Sequence, residues 1–198
     1  MIMTNDMDAL LKPRRTAISF WPFLLWMPPI IAVYLLGHFQ LEHWCGRSIL
    51  EQIALPLALI SIVSYGLLAW RRGNELAKML FVLSVGFFCR EWHFAGTTKG
   101  VYIIAGIVGV WFIYRRNVIR NLIKNTPVEI WLWATFLCYV MSQLIARRVF
   151  GEKYLDLLPM EEQYHISLEE SMETIAHLVL ATTSFVSWKQ FDVKKENT

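Results

Sequence analysis

The sequence predicts an all-α, polytopic membrane protein with a bundle of six transmembrane helices. The chain has 198 residues, of which 56% are hydrophobic, including nine Trp and twelve Phe, and its mean hydropathy is +0.40. Apolar runs recur between clusters of Lys and Arg. A soluble domain of this size has no core large enough to bury several such runs, whereas a bilayer accommodates them as helices.

Six apolar runs are long enough, or nearly so, to cross a hydrocarbon core of about 30 Å at about 1.5 Å per residue. The predicted spans lie at about 18–39, 52–70, 79–97, 101–114, 129–147 and 168–188. They form one transmembrane domain, 18–188, which lies between a cytoplasmic N-terminal segment, 1–17, and a cytoplasmic tail, 189–198.

Two spans contain residues that modify a regular helix. Pro22, Pro28 and Pro29 predict that the first span is kinked or begins irregularly, because proline lacks the N–H that a helix interior uses. In the fourth span, Ala105 and Gly109 are small residues four positions apart. Such a pair favours close packing on another membrane helix.

The distribution of basic residues predicts the orientation. Of the 19 Lys and Arg residues, 13 fall on one side of the predicted membrane. By the positive-inside rule this side is the cytoplasm of a bacterial cell, so both termini are cytoplasmic and the chain lies in the inner membrane. The basic segment 115–125, RRNVIRNLIKN, is typical of an interfacial helix that contacts anionic lipid.

Ionisable residues in the third and sixth spans lie at matching depths in the outer half of the bilayer. Counted from the cytoplasmic end of each span, Glu91 lies about 18 Å up, His177 about 16 Å and Glu173 about 22 Å. Glu91 and His93 point about 160° apart on a regular helix, which argues against a simple chelating pair. In contrast, Glu173 and His177 share one face, and Glu169 and Glu170 fall within the same arc of about 100°.

The leading hypothesis is a site for a divalent metal, Zn, Fe or Mn, because helical bundles bind these ions with inward carboxylates and imidazoles. A metal-bound water would then hydrolyse a lipid or another amphiphile of the outer leaflet. The predicted metal ligands are Glu173, His177, Glu170 and His38. The predicted catalytic residues are Glu91 and His93, as a further ligand or general base, and Arg90, which would orient carboxylates or a substrate phosphate. No organic cofactor is predicted.

Structural explanations compete with this hypothesis. Ser167 and Glu170 form a capping-box pattern at a helix start, and Arg90 is expected to pair with Glu173 or Glu91, because an unpaired charge at that depth is costly. The chain could thus be a noncatalytic membrane subunit or stabiliser whose buried charges fix the helix register. A proton- or cation-coupled carrier is a third alternative.

Membrane lipids are the predicted partners, together with another protein or a second copy of the chain, and no nucleic acid is expected. Residues 151–165, GEKYLDLLPMEEQYH, form a short amphipathic stretch that could lie on the membrane surface as a lid.

The motif around Arg90, Glu91, His93 and Thr97 or Thr98, followed by Glu169, Glu170 and Glu173 near the end, resembles a group of small bacterial inner-membrane proteins without an assigned function. In that group an Arg-Glu motif ends one helix and a Glu-Glu-x-x-Glu motif opens the last. A weaker similarity is to the membrane hydrolases that include alkaline ceramidases and adiponectin-receptor-like proteins. That resemblance implies a zinc site in which Ser84, His93 and His177 would take part.

Overall fold

The computed structural model describes residues 20–39, 47–92, 97–124, 126–150, 158 and 161–196. Within these ranges the regular structure is entirely helical, which confirms the all-α class. A 3-10 turn at Trp21–Leu24 is followed by seven α-helices: α1 (Met27–His38), α2 (Arg47–Arg72), α3 (Glu75–Glu91), α4 (Thr97–Tyr114), α5 (Arg116–Ile123), α6 (Pro127–Ala146) and α7 (Glu161–Glu196).

Three helical segments are long and apolar enough to cross a membrane: Trp21–His38, Ser48–Arg72 and Pro127–Ala146. A fourth span is obtained if the bent pair Gly100–Tyr114 and Arg116–Ile123 is counted as one. Large apolar side chains on these segments face outward, among them Ile31, Val63, Ile107 and Phe136. Such an outward apolar surface suits lipid, so the chain is a membrane protein with three or four candidate spans by this criterion.

The prolines of the first segment act as expected. Pro22 lies in the 3-10 turn, and Pro28 lies in the first turn of α1, where the N–H that proline lacks would have no helical partner. The irregular start predicted for this segment is confirmed. His38 ends α1 and is exposed.

The boundary between the third and fourth predicted spans lies earlier than expected. Helix α3 ends at Glu91, and Thr97 and Thr98 belong to α4. At its other end, α3 begins at Glu75, because the Asn74 side chain accepts a hydrogen bond from the Leu76 N–H at 2.9 Å. Lys78 donates to Glu75 at 2.9 Å, so the first turn of the helix contains an ion pair between neighbouring side chains.

The last helix is much longer than the predicted span. Helix α7 begins at Glu161 and has 36 residues, so Ser167 lies inside the helix and the capping-box interpretation is wrong. The acids and glutamine at 161–163 are good helix formers at a helix N-terminus, which explains the earlier start. The helix also takes in residues 189–196 of the predicted tail and residues 161–165 of the predicted lid. The rest of the predicted lid, residues 151–160, lies outside the described residues apart from residue 158.

Helix α7 occupies the centre of the bundle. It packs on α6, α2 and α1, while α3 packs on α2 and α4. At one end of the bundle the core contains Tyr65, Met79, Leu180 and Phe191. At the other end it contains Val33, Ile145, Leu168 and Met172.

Helix α4 is less enclosed than predicted. A Cβ atom built on Gly109 would meet nothing within 4 Å, and Ala105 is exposed. Within the described part of the chain, this small-residue pair therefore packs on no other helix, which corrects the sequence-based expectation. Between α4 and α5 the chain turns by 83°.

Candidate functional site

Four ionisable residues meet between the end of α3 and the middle of α7. Arg90 forms an ion pair with Glu173. One helical turn along α7, His177 Nε2 lies 3.3 Å from Glu91 Oε1. The arrangement follows from local sequence: Glu173 and His177 are four residues apart on one face of α7, and Arg90 and Glu91 are the last two residues of α3.

Burial is uneven across this group. The side chains of Glu173, Glu91 and His177 are 6%, 7% and 2% exposed, whereas that of Arg90 is 24% exposed. Ionised groups are retained at such burial only when they are paired and hydrogen-bonded. Arg90 is thus the member of the group that a ligand would contact most directly.

Two residues of α6 complete the network. Tyr139 Oη lies 2.9 Å from His177 Nδ1, and Ser142 Oγ donates to Glu173 Oε1 at 3.2 Å. The Tyr139 ring stacks on Phe87 with the ring centroids 4.3 Å apart, which joins α6 to α3. Sequence reasoning missed both residues. The available signal was a tyrosine and a serine one turn apart in an otherwise apolar span.

Both ring nitrogens of His177 are engaged. The Glu91 carboxylate can only accept, so in the neutral imidazole Nε2 carries the hydrogen and donates to Glu91. Nδ1 then accepts from the Tyr139 hydroxyl at 2.9 Å. Tyr139, His177 and Glu91 therefore form a continuous hydrogen-bonded chain, in which a carboxylate orients an imidazole and the imidazole faces a hydroxyl.

Glu173 does not contact the same partner as His177. The expectation that Arg90 pairs with Glu173 or Glu91 is confirmed, because Arg90 contacts Glu173 directly. Ser142 bonds the same carboxylate oxygen. Glu173 is thus held by Arg90 and Ser142, while His177 is held by Glu91 and Tyr139.

Among the described residues, no three His, Cys, Asp or Glu side chains lie close enough together to hold one metal ion. His38 is exposed at the end of α1 against Phe39, and Glu170 is half-buried one turn before Glu173. His93 lies outside the described residues. The predicted ligand set of Glu170, Glu173, His177 and His38 is therefore not assembled here.

Among the described residues, Glu91 and His177 have a spacing that suits a shared ion. Two ligands at about 2.0–2.1 Å in a tetrahedral site are roughly 3.3–3.4 Å apart, and Glu91 Oε1 and His177 Nε2 are 3.3 Å apart. Tyr139 would then be the outer hydrogen-bond partner of the ligating imidazole.

Around the network, a second polar contact joins α4 to α6. Tyr102 Oη donates to Gln143 Oε1 at 2.6 Å, and the Tyr102 side chain is 51% exposed. Arg147 and Arg148 follow α6 and are exposed, with Arg148 in the left-handed backbone region at φ 54°.

A scan against protein-family models, a search of curated proteins and a search of solved structures found no match to this chain. The chemistry of the site therefore has to be inferred from its contacts. The first set of contacts is a row of hydrogen bonds that joins a phenol, an imidazole and a carboxylate. The second is an ion pair between an arginine and a glutamate, and a serine donates a hydrogen bond to that glutamate.

Proposed function

We propose that the chain is an integral protein of a bacterial inner membrane that crosses the bilayer six times. The apolar helical segments supply up to four crossings. Helices α3 and α7 supply two more, since α3 has 17 residues, about 26 Å, and both helices pack inside the bundle.

The orientation follows from the charged residues at the two ends of the bundle. The basic end is the end that contains Arg71, Arg72, Arg115, Arg116, Arg120 and Lys124. By the positive-inside rule it faces the cytoplasm, together with both termini. The Arg90–Glu173 and Glu91–His177 contacts then lie in the outer half of the bilayer.

The activity that the geometry supports best is acid–base hydrolysis of a lipid or another amphiphile. The observation that carries it is the Tyr139–His177–Glu91 chain. As an attacking water forms a bond to the substrate, it gives a proton to the Tyr139 oxygen, and Tyr139 passes its own proton to Nδ1 of His177. Glu91 stabilises the imidazolium, and the proton returns to the leaving oxygen as the scissile bond breaks.

Arg90 is suited to contact the substrate. Its side chain is the most exposed of the four ionisable side chains, at 24%, and planar guanidinium donors match the oxygens of carboxylates and phosphates. Glu173 and Ser142 act as positioning residues, because Glu173 pairs with Arg90 and Ser142 donates to the same Glu173 oxygen.

A divalent ion between Glu91 and His177 would replace this acid–base chain, because an imidazole that ligates through Nε2 carries its hydrogen on Nδ1 and cannot accept a proton from Tyr139. Glu91 and His177 would hold it, and any further protein ligand would come from outside the described residues, where His93 lies. Such an ion would supply a bound water with a lowered pKa. In its presence Tyr139 would still hold the outer nitrogen of His177.

The test is conversion of lipid by the purified protein in liposomes made from a bacterial lipid extract, followed by mass spectrometry. The wild type is expected to convert at least one lipid class, and His177→Gln and Glu91→Gln to lower the rate roughly 10²- to 10⁴-fold. Thr135→Val, one turn from Tyr139, is the matched control and should keep the rate. Stoichiometric metal in the wild type, lost in both site variants, would indicate an ion between Glu91 and His177.

The proposal fails if the wild type converts nothing, or if His177→Gln keeps the wild-type rate. The second candidate function would then stand: a noncatalytic subunit or stabiliser of a membrane complex. The Arg90–Glu173 pair favours this candidate, because it ties α3 to α7. The evidence for this subunit function would be a partner protein that copurifies at a fixed ratio with the wild type but not with the Glu173→Ala variant.

A further inference from the structure

We propose that α5 is a docking surface for anionic phospholipid headgroups in the leaflet at the basic end. The proposal does not depend on hydrolysis at the Glu91–His177 site, which lies at the opposite end of the bundle. It requires only that α4 crosses the bilayer.

The first argument is the direction of α5. The chain bends by 83° between the apolar helix Gly100–Tyr114 and Arg116–Ile123. If α4 runs across the bilayer, α5 runs nearly parallel to its surface. Tyr114 and Trp70, which are 80% and 84% exposed, lie at this same end. Exposed aromatic residues of this kind mark the headgroup level of a bilayer.

The second argument is the separation of the two faces of α5. Ile119 is fully buried, and Leu122 and Ile123 are partly buried against the same core. Arg116 and Arg120 are exposed and lie about 60° and 100° around the helix from Ile119, and Lys124 continues their row at the helix end, about 140° around. Positions four residues apart lie about 6 Å apart along a helix. Three such positions span an arc of about 80° around the helix axis, so the three charged side chains form one row.

The third argument is that α5 is held in place. Gln190 of α7 donates its side-chain amide to the Leu122 carbonyl at 3.4 Å. The buried Ile119 belongs to the same core cluster as Leu180 and Phe191. The row of charges therefore has a fixed position relative to the bundle, and a headgroup that binds it does not have to order the helix.

The positive charge at this end of the bundle favours an anionic ligand on the α5 surface. Arg71 and Arg115 lie over the rings of Trp188 and Tyr114, with the guanidinium carbons 5.7 and 5.4 Å from the ring centroids. Described acids at this end are few, and Glu75 is bonded to Lys78. A polybasic surface at headgroup level attracts the anionic lipids of the cytoplasmic leaflet.

The test is native mass spectrometry of the protein with equimolar phosphatidylglycerol and phosphatidylcholine. The wild type should retain phosphatidylglycerol preferentially. The triple variant Arg116→Gln, Arg120→Gln, Lys124→Gln should lose most of this preference, at about fivefold in affinity per charge removed. Arg147→Gln with Arg148→Gln, which removes charges at the other end, should keep it.

A second variant tests the same surface by adding a charge, so that its result does not depend on whether the triple variant folds. Asn117→Lys adds a charge beside the row on an exposed position and should strengthen the preference. The proposal is overturned if the triple variant keeps the wild-type preference, or if the Arg147 and Arg148 variant loses it. It is also overturned if soluble glycerol phosphate at millimolar concentration displaces the lipid completely, since the row would then be a site for free anions.

Discussion

Where α7 packs on α6 at Ala176 and Thr183, the contact is built from small and hydroxyl side chains, whereas the face that α7 turns to α3 carries charge. On the α6 side, Ala176 packs in a cluster with Ala134 and Cys138, and the hydroxyls of Thr183 and Thr135 are 3.1 Å apart. On the α3 side, long side chains span the distance between the helices in the Arg90–Glu173 and Glu91–His177 contacts.

The difference separates two sources of stability. Small residues let membrane helices approach closely, so at Ala176 and Thr183 dispersion and shape hold α6 against α7 at any protonation state. The α3 contact depends on which groups are ionised and on whether each charge keeps its partner. Proton transfer is therefore expected where the α3 face of α7 meets Tyr139 of α6, and the small-residue contact at Ala176 and Thr183 serves as its rigid support.

The largest effect should come from leaving a charge unpaired at the α3 face. Glu173→Ala removes the partner of Arg90 and is expected to lower the free energy of unfolding by about 3–5 kcal/mol. The measurement is denaturant unfolding in mixed micelles. The double variant Arg90→Met, Glu173→Met should regain much of the loss, since apolar side chains can replace a buried pair. If the single variant unfolds like the wild type, the pair is not buried in the membrane-embedded protein.

A shape change should have the next largest effect, at the α6 face. Ala176→Leu places a large side chain in a fully closed contact and is expected to cost about 1–3 kcal/mol, measured in the same unfolding assay. Ala105→Leu is the matched control, because Ala105 is exposed on α4, and it should be nearly neutral. Equal losses in the two variants would mean that α6 and α7 are not packed on each other at Ala176.

Loss of one hydroxyl contact at the α6 face should have the smallest effect. Thr183→Val removes the bond to Thr135 while keeping the shape of the side chain, and the expected loss is about 0.6 kcal/mol. Thr182→Val removes a bond to the Leu178 carbonyl within α7 and provides the comparison. A loss above that of Ala176→Leu would show that polar contacts, and not shape, dominate this face.

The sequence alone predicted the features that depend on residues close together along the chain. The helical class, the irregular start at Pro22 and the pairing of Arg90 with an acid follow from hydropathy, from proline geometry and from the cost of a buried charge. The common face of Glu173 and His177 follows from helix periodicity alone.

The remaining features depend on the position of one helix relative to another. Because the third span was extended to residue 97, Glu91 was placed inside a helix, although it is the last residue of α3. The contact of Tyr139 with His177 requires the rotation of α6 about its axis, and nothing in the apolar pattern of α6 determines that rotation. The same is true of the bond from Ser142 to Glu173.

The length of α7 has a mechanical consequence. The helix has 36 residues without a proline or a glycine between Glu161 and Glu196, and it has none of the usual points at which helices kink. Glu173, in the ion pair, and Gln190, which holds α5, are joined by about 26 Å of continuous helix. A rotation of α7 that rearranged the Arg90–Glu173 pair would therefore also move Gln190, the residue that holds α5.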